Sequence, residues 1–294
     1  MIEPPLGDWG IAESGEFKLD DARTKPPSDE SRSKKELEKA LKKTVKSIAK
    51  LQRKLFADDR FSLLLVFQAM DAAGKDGTIR AVMSGVNPAG CQVFSFKSPS
   101  VEELEHDYLW RTNRRLPERG RIGIFNRSYY EEVLAVRVNP HYLENQRIPL
   151  KTQEFSAENI WQERFGSIRD SELHLARNGT VILKFFLNVS KEEQKNRFLD
   201  RLTDPDRYWK FSKSDLPARQ QWDEYMDAYQ SVLEQTSRAH APWFSIPADD
   251  KPYMRLQVAK TIEDTLKVLP LRYPQKTAEE LAFFDEHIAL LKNE

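Results

Sequence analysis

The sequence predicts an α/β fold, a three-layer sandwich in which helices cover both faces of a central parallel sheet of five strands. Five short segments rich in β-branched and aromatic residues alternate with segments of helical periodicity. Each of the five is apolar enough for a strand that is buried on both sheet faces. The first one runs directly into a loop of small residues with a lysine, "DAAGKDGT". Ligands of open parallel sheets bind beyond the carboxyl ends of the strands, so this loop is the first candidate site.

The strand candidates are "FSLLLVF" (61–67), "CQVFSF" (91–96), "RIGIF" (121–125), "TVILKFFL" (180–187) and "WFSIP" (243–247). The helices between them are predicted at about 76–86, 101–116, 128–136, 153–178, 190–202, 215–240, 252–268 and 277–292. The last helix is rich in Leu and Phe, and it forms either a subunit contact or the edge of the core.

The chain is predicted to consist of an arm and one domain. Residues 1–30 mix proline, glycine and charged residues without periodicity, so we expect an arm that lies on the body or stays mobile, with ordered structure beginning after it. Residues 31–294 form the domain, which opens with an amphipathic helix over 31–55. Ten Lys or Arg residues against two Glu residues lie between Arg32 and Lys54. This basic face is either solvated surface or a track for a long anion.

Composition limits the classes of function. Lys plus Arg equals Asp plus Glu at 46 each, so no global field indicates a nucleic-acid partner. The single cysteine, Cys91, excludes an internal disulfide. No apolar stretch approaches the roughly 20 residues that cross a bilayer, and the first 30 residues lack the order of a signal peptide. We therefore expect a soluble cytoplasmic protein without a membrane partner. The five histidines have no zinc spacing.

The loop after the first strand has the parts of a phosphate site. Small residues let backbone N–H groups converge on phosphate oxygens, and Lys75 can reach over them from the start of the next helix. The residues whose backbone we expect to contact phosphate are Ala72, Ala73, Gly74, Gly77 and Thr78. The full signature G-x-x-x-x-G-K-[ST] is not met, because Ala69 replaces the first glycine and Asp76 the final Ser or Thr. A tight turn with a surface lysine is the alternative.

An acidic residue in such a loop would repel phosphate unless a cation lay between them. Asp71 therefore predicts Mg²⁺, which typically takes one or two carboxylates together with substrate phosphates. Asp76 either belongs to the phosphate site or only interacts with the helix dipole.

Two further strand ends carry polar side chains. In "NRSYYEE", Asn126 can orient the water shell of a metal, Arg127 can bind phosphate with two hydrogen bonds, and Glu131 lies one helical turn further on. After the second strand, Lys97 precedes a segment that contains Arg111. Ordinary salt bridges and a capped, solvated helix are the respective alternatives.

A basic segment at about 190–215 is predicted to form a lid. Its cations are Arg197, Arg201, Arg207 and Lys210, and Pro205 separates its two helical parts. A basic helical hairpin suits a mobile lid that closes over phosphates and excludes water. A plain helix–loop–helix is the alternative.

Five blocks of the sequence follow one another in order: "DAAGKDGTIR", "GVNPAGCQVFSFKSPS", "FNRSYYEEVLAVRV", "DPDRYWKFSKSDL" and "APWFSIPADDK". Together they resemble polyphosphate kinase family 2, and the likeness runs from about residue 35 to 270. The resemblance implies a P-loop kinase core with a helical lid. It also implies phosphoryl transfer between inorganic polyphosphate and nucleoside mono- and diphosphates, with Mg²⁺ as cofactor. The residues to which it assigns catalysis are Asp71, Lys75, Arg127, Arg197 and Arg201, with Asp71 as the metal ligand.

The resemblance also bears on specificity. Many members carry Asp where this chain has Asn126, so it stays open whether Asn126 helps to bind metal. "FNRSYYEEV" is similar to the subgroup called class III, which phosphorylates both AMP and ADP, and Glu131 becomes a candidate for nucleotide selection. An ATP-dependent kinase of the thymidylate-kinase type and a non-catalytic P-loop protein that binds nucleotide or RNA remain the alternatives. We expect a homo-oligomer.

Overall fold

The structure is a computed structural model, and it describes residues 1–13, 16–30, 32–148 and 159–294. Its strands are β1 (Gly10–Ile11), β2 (Ser62–Gln68), β3 (Cys91–Ser95), β4 (Ile122–Asn126), β5 (Thr180–Asn188) and β6 (Trp243–Pro247). The helices up to the lid are α1 (Lys34–Asp58), α2 (Lys75–Met83), α3 (Val101–Leu104), α4 (Trp110–Asn113), α5 (Ala135–Val138) and α6 (Asn159–Arg177). The remaining helices are α7 (Lys191–Thr203), α8 (Asp215–Gln220), α9 (Trp222–Thr236), α10 (Lys251–Val268) and α11 (Ala278–Lys292).

The fold is α/β, and its six strands form a single sheet in the order β1-β6-β5-β2-β4-β3. All five predicted strands are present and pair in parallel. The predicted number of five strands was wrong, because β1 adds a sixth that pairs antiparallel with β6, Gly10 opposite Phe244. Two residues carry no periodicity that a sequence pattern could reveal.

The arm over residues 1–30 contains more regular structure than the sequence indicated. Besides β1, it contains a 3-10 turn at Leu19–Asp21, in which Leu19 is buried. Ser237 Oγ donates to Ile11 O at 2.7 Å, and the Asn188 amide donates to Ala22 O at 3.3 Å. The prediction that ordered structure begins only after residue 30 was therefore wrong for the described part of the arm.

Three predicted helices are shorter than expected or interrupted. The segment 101–116 splits into α3 and α4 at Asp107, whose Oδ1 accepts from Leu109 N at 2.9 Å and so competes with the helical pattern. The segment 128–136 is a 3-10 helix, Tyr129–Val133, followed by α5. The segment 215–240 divides at Gln221 into α8 and α9. Of the predicted helix 153–178, residues 153–158 lie outside the described residues.

The central strands form the core. Every residue of β2 and β6 is buried, as are all but the first residue of β5. One face of β5 packs against α6 and α9, since Lys184 bonds to Glu172 of α6, and the Phe186 ring contacts the tilted ring of Tyr229 in α9 with centroids 4.5 Å apart. No helix within the described ranges is long and apolar enough to cross a membrane.

Candidate phosphate and nucleotide site

The register of the sheet brings three loops together. Asn126 at the end of β4 pairs with Phe67 of β2 on one side and with Ser95 of β3 on the other. Because these strands are parallel, their carboxyl ends meet at one edge of the sheet. The phosphate-loop candidate, the "NRSYYEE" segment and the segment after β3 therefore lie side by side, as the sequence analysis expected.

The loop after β2 turns sharply into α2. Ala72 and Gly74 adopt the left-handed backbone conformation, with φ of 63° and 109°. A Cβ atom on Gly74 would lie 3.3 Å from Met254 Cε, so the position has little space for a side chain. Buried Thr78 donates from Oγ1 to Gly74 O at 3.0 Å. The loop is thus a tight turn in front of a helix that starts at Lys75, one residue earlier than the predicted start at about 76.

Lys75 folds back over the loop from the first position of α2. Its Nζ donates to Ala69 O at 2.7 Å and to Met70 O at 3.4 Å. Burial lowers the pKa of Lys75 to about 8, and the nearby carboxylates of Asp71 and Glu131 oppose this shift. The ammonium group is therefore held at the loop by backbone carbonyls, where it can be released to a phosphate.

Asp71 and Arg127 form an ion pair between two loops, with Arg127 Nη2 and Asp71 Oδ1 2.7 Å apart. Arg127 has a left-handed backbone with φ of 62°, and its N–H donates to Phe67 O at 3.1 Å. The carboxylates of Glu131 and Asp71 raise the pKa of Arg127 above its usual value, against the effect of its burial. The Arg127 side chain is 41% exposed, so it remains accessible to an anionic ligand.

Glu131 lies behind this ion pair. Burial raises the pKa of Glu131, whereas the cations of Arg127 and Lys75 act in the opposite direction. With the amide of Gln68 turned so that its nitrogen faces Glu131, Gln68 donates to Glu131 Oε1 at 3.1 Å. A carboxyl group between two cations at the wall of a cavity is placed to distinguish ligands.

A cavity of about 370 Å³ opens beside the loop. Asp71, Arg127 and Glu131 line one part of it. Ser214, in the segment predicted as a lid, and Ala218, just beyond that segment, line another part. Its aromatic lining consists of Phe96, Tyr108, Tyr129, Tyr142, Tyr225 and Tyr229. This volume lies within the range of about 300–1,000 Å³ that is usual for small-molecule sites. Apolar walls with a few charged groups at one end suit a nucleotide.

Buried polar networks, which the sequence analysis did not identify, hold the "NRSYYEE" segment. Tyr129 and Tyr130 each donate to Glu172 Oε1 at 2.8 Å. Lys184 Nζ lies 2.6 Å from Glu172 Oε2 and donates to Thr236 O at 2.7 Å. Burial lowers the pKa of Lys184 to about 8, against the effect of Glu172. A lysine in the middle of the apolar strand "TVILKFFL" was the available signal.

A second buried pair supports the next residue of the segment. Glu132 pairs with Arg164 of α6, and both bond to Gln146. The guanidinium of Arg164 lies 4.7 Å from the ring centroid of Tyr108 in the cavity wall. The two networks thus fix the wall on both sides of Glu131.

Arg197 of the predicted lid is buried rather than free to reach a ligand. Its Nη1 donates to Ala73 O at 2.6 Å, its Nη2 to Ala248 O at 2.6 Å, and its Nε to Glu193 Oε1 at 2.7 Å. The same guanidinium bonds to Ala72 O at 3.2 Å and to Asp249 O at 3.1 Å. It therefore joins α7 to the phosphate loop and to the end of β6.

The structure does not bring the other lid cations to the loop. Arg201 lies 3.5 Å from Asp215, and Arg207 lies 2.8 Å from Asp204. Lys210 Nζ lies 5.1 Å from the ring centroid of its neighbour, Trp209. These contacts lie within the segment that we predicted as a lid.

The remaining predicted residues divide between the cavity and the loop. Lys97 and Arg111 line the cavity, and Arg111 Nη2 donates to Lys97 O at 2.6 Å. Asn126 bonds to the carboxylate of Asp76 rather than to Asp71. Gly77 lies close to Arg255, since a Cβ atom added to Gly77 would lie 3.2 Å from Arg255 Nη2. Asp76 is exposed beside the loop.

The acidic groups do not form a complete metal site. In the described ranges there is no group of three or more His, Cys, Asp or Glu that could hold a metal ion. Asp71 Oδ1 accepts a hydrogen bond from Arg127, and no described residue donates to Oδ2. One free carboxylate oxygen fits a cation that takes its other ligands from phosphates and water.

These features define a class of protein. A loop of small residues at the start of a helix, with a lysine over it, is typical of phosphate sites. Because an aromatic cavity lies next to this loop, the arrangement is typical of proteins that bind phosphorylated nucleotides.

Comparison with known proteins identifies the family. The family model "Polyphosphate kinase 2 (PPK2)" matches residues 31–273. An ADP-polyphosphate phosphotransferase of Rhodopseudomonas palustris is 54% identical over 245 residues, which cover 83% of this chain and 84% of that protein. An AMP/ADP-polyphosphate phosphotransferase of Meiothermus ruber is 44% identical over 234 residues, with 79% and 82% covered. The crystal structure of polyphosphate kinase 2 from Arthrobacter aurescens is similar with a TM-score of 0.83 and 34% identity, covering 97% of this chain and 100% of that one.

The chain belongs to the polyphosphate kinase 2 family, and its activity is polyphosphate-dependent phosphoryl transfer that involves nucleotides. The resemblance that the five sequence blocks carried is confirmed.

Proposed function

We propose that this chain, with a P-loop kinase-like core, phosphorylates both AMP and ADP with inorganic polyphosphate as the donor. The observation that carries the proposal is that Asp71 and Arg127, which form an ion pair, both line the 370 Å³ cavity next to the Lys75 loop. That arrangement puts the groups that neutralise phosphate charge next to a pocket of nucleotide size. The relatives named for ADP and for AMP/ADP support this choice of acceptors.

The cavity would hold the acceptor nucleotide. Its aromatic side chains offer flat apolar surface for a base, and Arg127 offers a guanidinium for the terminal phosphate. Glu131 would contribute to nucleotide selection, since it is a carboxyl group that keeps a raised pKa in the cavity wall. Lys97 and Arg111 would add positive charge at the same wall.

The loop would hold the donor phosphates. Backbone N–H groups of residues 72–74 and the start of α2 favour an anion, and Lys75 supplies a positive charge. Arg197 would act as a positioning residue, because its guanidinium already donates hydrogen bonds to carbonyls of the loop and of the end of β6, and to Glu193. Arg201, Arg207 and Lys210 would approach the phosphates only after the lid moves.

Asp71 would hold Mg²⁺ through its free carboxylate oxygen, together with phosphate oxygens and water. When bound, the ion would neutralise the charge of the reacting phosphates. Asn126 donates a hydrogen bond to Asp76 and would act on the metal only through water.

The reaction needs no covalent bond to the protein. A terminal phosphate oxygen of the nucleotide attacks the terminal phosphorus of polyphosphate, a new P–O–P linkage forms, and the P–O bond to the rest of the polyphosphate chain breaks. The shortened polyphosphate takes up the bonding electrons as it leaves. The protein's contribution is positioning and charge neutralisation, for which Lys75, Arg127 and a closing lid are suitable.

The basic face of α1 is one candidate for the polyphosphate track. Lys39, Lys42, Lys46 and Lys50 are exposed along it. Binding of a linear polyanion there would weaken as salt rises, by analogy with nucleic acids.

A chromatographic assay tests the proposal. The protein and Mg²⁺ are mixed with long-chain polyphosphate and either AMP or ADP, and ATP replaces polyphosphate in a parallel reaction. We expect ADP from AMP and ATP from ADP only with polyphosphate. Transfer from ATP to AMP with polyphosphate inert would instead indicate an ordinary nucleoside monophosphate kinase.

A further inference from the structure

Helix α11 is an apolar helix with no buried residue. The exposed fractions are 52% for Leu281, 55% for Phe283, 40% for Phe284, 47% for Ile288 and 68% for Leu291. Contiguous apolar surface of this kind on a monomer usually marks an interaction site. A helix of 15 residues is also marginal by itself in water, so its stability depends on packing against a partner.

The apolar residues of α11 have the spacing of a two-helix seam. Leu281, Phe284, Ile288 and Leu291 follow one another at intervals of three, four and three residues. These are the a and d positions of two consecutive heptads, which place the four side chains along one stripe. The stripe therefore fits another helix better than it fits a flat surface.

The charges of α11 make it complementary to itself in the antiparallel orientation. Glu279 and Glu280 lie in its first turn, and Lys292 lies in its last. Two antiparallel copies bring the acidic first turn of one towards Lys292 of the other, and their helix dipoles oppose each other favourably. Two parallel copies would put like charges together. Such self-complementarity is the property of a two-fold symmetric contact between identical chains.

The chemistry of the polar face argues against a membrane surface as the partner. Asp285 and Glu286 lie between the apolar positions, and Lys292 is the one Lys or Arg of the helix. Helices that lie on membranes usually carry Lys and Arg on the polar face, because these residues attract anionic lipids.

The position of α11 in the chain leaves it free to reach another molecule. The residues that match the family model end at 273, and α11 begins at Ala278. Residues 272–277, which connect the helix to the last core residue, Leu271, are all exposed. The helix is thus an addition beyond the part of the chain that the family model matches.

We propose that α11 is a self-association helix that pairs antiparallel with the α11 helix of a second copy of this chain. The pairing buries the seam formed by Leu281, Phe284, Ile288 and Leu291. It supplies a specific contact for the homo-oligomer that the sequence analysis expected. This inference does not depend on the substrate of the enzyme.

The mass of the full-length protein in solution tests the pairing. Light scattering after size-exclusion chromatography should give an even multiple of the 34.3 kDa of one chain at tens of micromolar protein. The double variant Phe284→Asp/Ile288→Asp should have half the mass of the wild type, whereas the control Glu286→Gln on the opposite side should keep it. Because α11 has no buried residue, the double variant should retain the circular dichroism and activity of a folded chain. A monomeric wild type, or an unchanged mass in the double variant, would overturn the proposal.

Cross-linking tests the orientation. In a Cys91→Ser background, the variants Leu281→Cys and Leu291→Cys are oxidised separately and as a mixture. Antiparallel pairing predicts disulfide-linked dimers mainly in the mixture, and parallel pairing predicts them in each variant alone. A monomer that instead sediments with phosphatidylcholine vesicles through α11 would assign the helix to membranes and contradict the proposal.

Discussion

Arg127 Nη2 and Asp71 Oδ1 lie 2.7 Å apart and join the loops that follow two neighbouring parallel strands. The pair holds a cation and an anion at the same edge of the sheet. A phosphate that binds between the loops can take the guanidinium, and this releases the carboxylate for a metal ion. The pair is thus a resting arrangement of the groups that we propose for substrate binding, and several predictions depend on it.

Removal of the ammonium group at the loop should abolish most turnover. Lys75→Ala should lower kcat by about 100-fold or more, the usual effect of losing one preorganised charge at a transferring group. The Tm should change little, because within the described residues the ammonium group bonds to two backbone carbonyls and to no buried charged side chain. The matched control is Lys276→Ala, which removes an exposed lysine outside the site. Normal kcat in Lys75→Ala would remove this lysine from the mechanism.

Asp71→Asn should separate metal binding from folding. The variant loses the negative charge that would hold Mg²⁺ but keeps the shape of the side chain. We expect the Mg²⁺ concentration for half-maximal rate to rise at least about tenfold, since one charged ligand is lost. A Mg²⁺ titration of the initial rate measures this, and chelation by EDTA should stop the wild type reversibly. An unchanged titration curve would place the metal elsewhere.

The pH dependence should report the titration of Lys75. Its pKa is lowered to about 8 by burial, and the proposed role needs the protonated form. The value of kcat/KM, which reflects the free enzyme, should therefore fall as pH rises through about 8. Lys75→Arg stays protonated over this range, so its weaker activity should show no such fall. A decline near pH 8 that persists in Lys75→Arg would assign the titration to another group.

Arg197→Ala should destabilise the fold as well as lower activity. The substitution leaves Glu193 and backbone carbonyls of both the loop and the end of β6 without their donor. Leaving a buried carbonyl group without its donor usually costs about 1–3 kcal/mol, so we expect the free energy of unfolding to fall by at least about that amount. Urea denaturation measures this loss, and Arg201→Ala, whose side chain is less buried, is the control. A large loss of kcat without any loss of stability would make Arg197 a residue that contacts substrate.

The buried pair of Lys184 and Glu172 should be strongly coupled. Lys184→Met leaves the carboxylate of Glu172 buried with only hydroxyl donors from Tyr129 and Tyr130. We expect a loss of about 3–5 kcal/mol in the free energy of unfolding, much of which the double variant Lys184→Met/Glu172→Met should recover. A double-mutant cycle by denaturation measures the coupling. Additive losses would show that the two groups act independently.

Local sequence patterns were sufficient to predict the parallel strands of the sheet. The segments 61–67, 180–187 and 243–247 are predominantly apolar, and such runs mark strands that are buried on both sides. The strand β1 was missed because two residues have no period. The break at Asp107 was missed because a side-chain hydrogen bond to Leu109 N, rather than a glycine or proline, interrupts the helix.

The features that the sequence did not predict depend on contacts between residues that are distant in sequence. The spacing of basic residues indicated a lid around Arg197, but its carbonyl partners lie 124 and 51 residues away along the chain. No pattern within the segment distinguishes a guanidinium that faces substrate from one that holds the loop. Lys184 offered a clearer signal, since a charge inside a fully buried strand requires a partner.

We expect phosphoryl transfer from polyphosphate to a nucleotide to depend on Lys75, and the initial rate of ADP formation from AMP measures this dependence. The measurement compares wild type and Lys75→Ala at saturating Mg²⁺, with polyphosphate, with ATP, and with neither donor. We predict rapid ADP formation only in the wild type and only with polyphosphate. Equal rates in the two proteins would contradict the role of Lys75. A wild type that uses ATP but not polyphosphate would contradict polyphosphate as the donor.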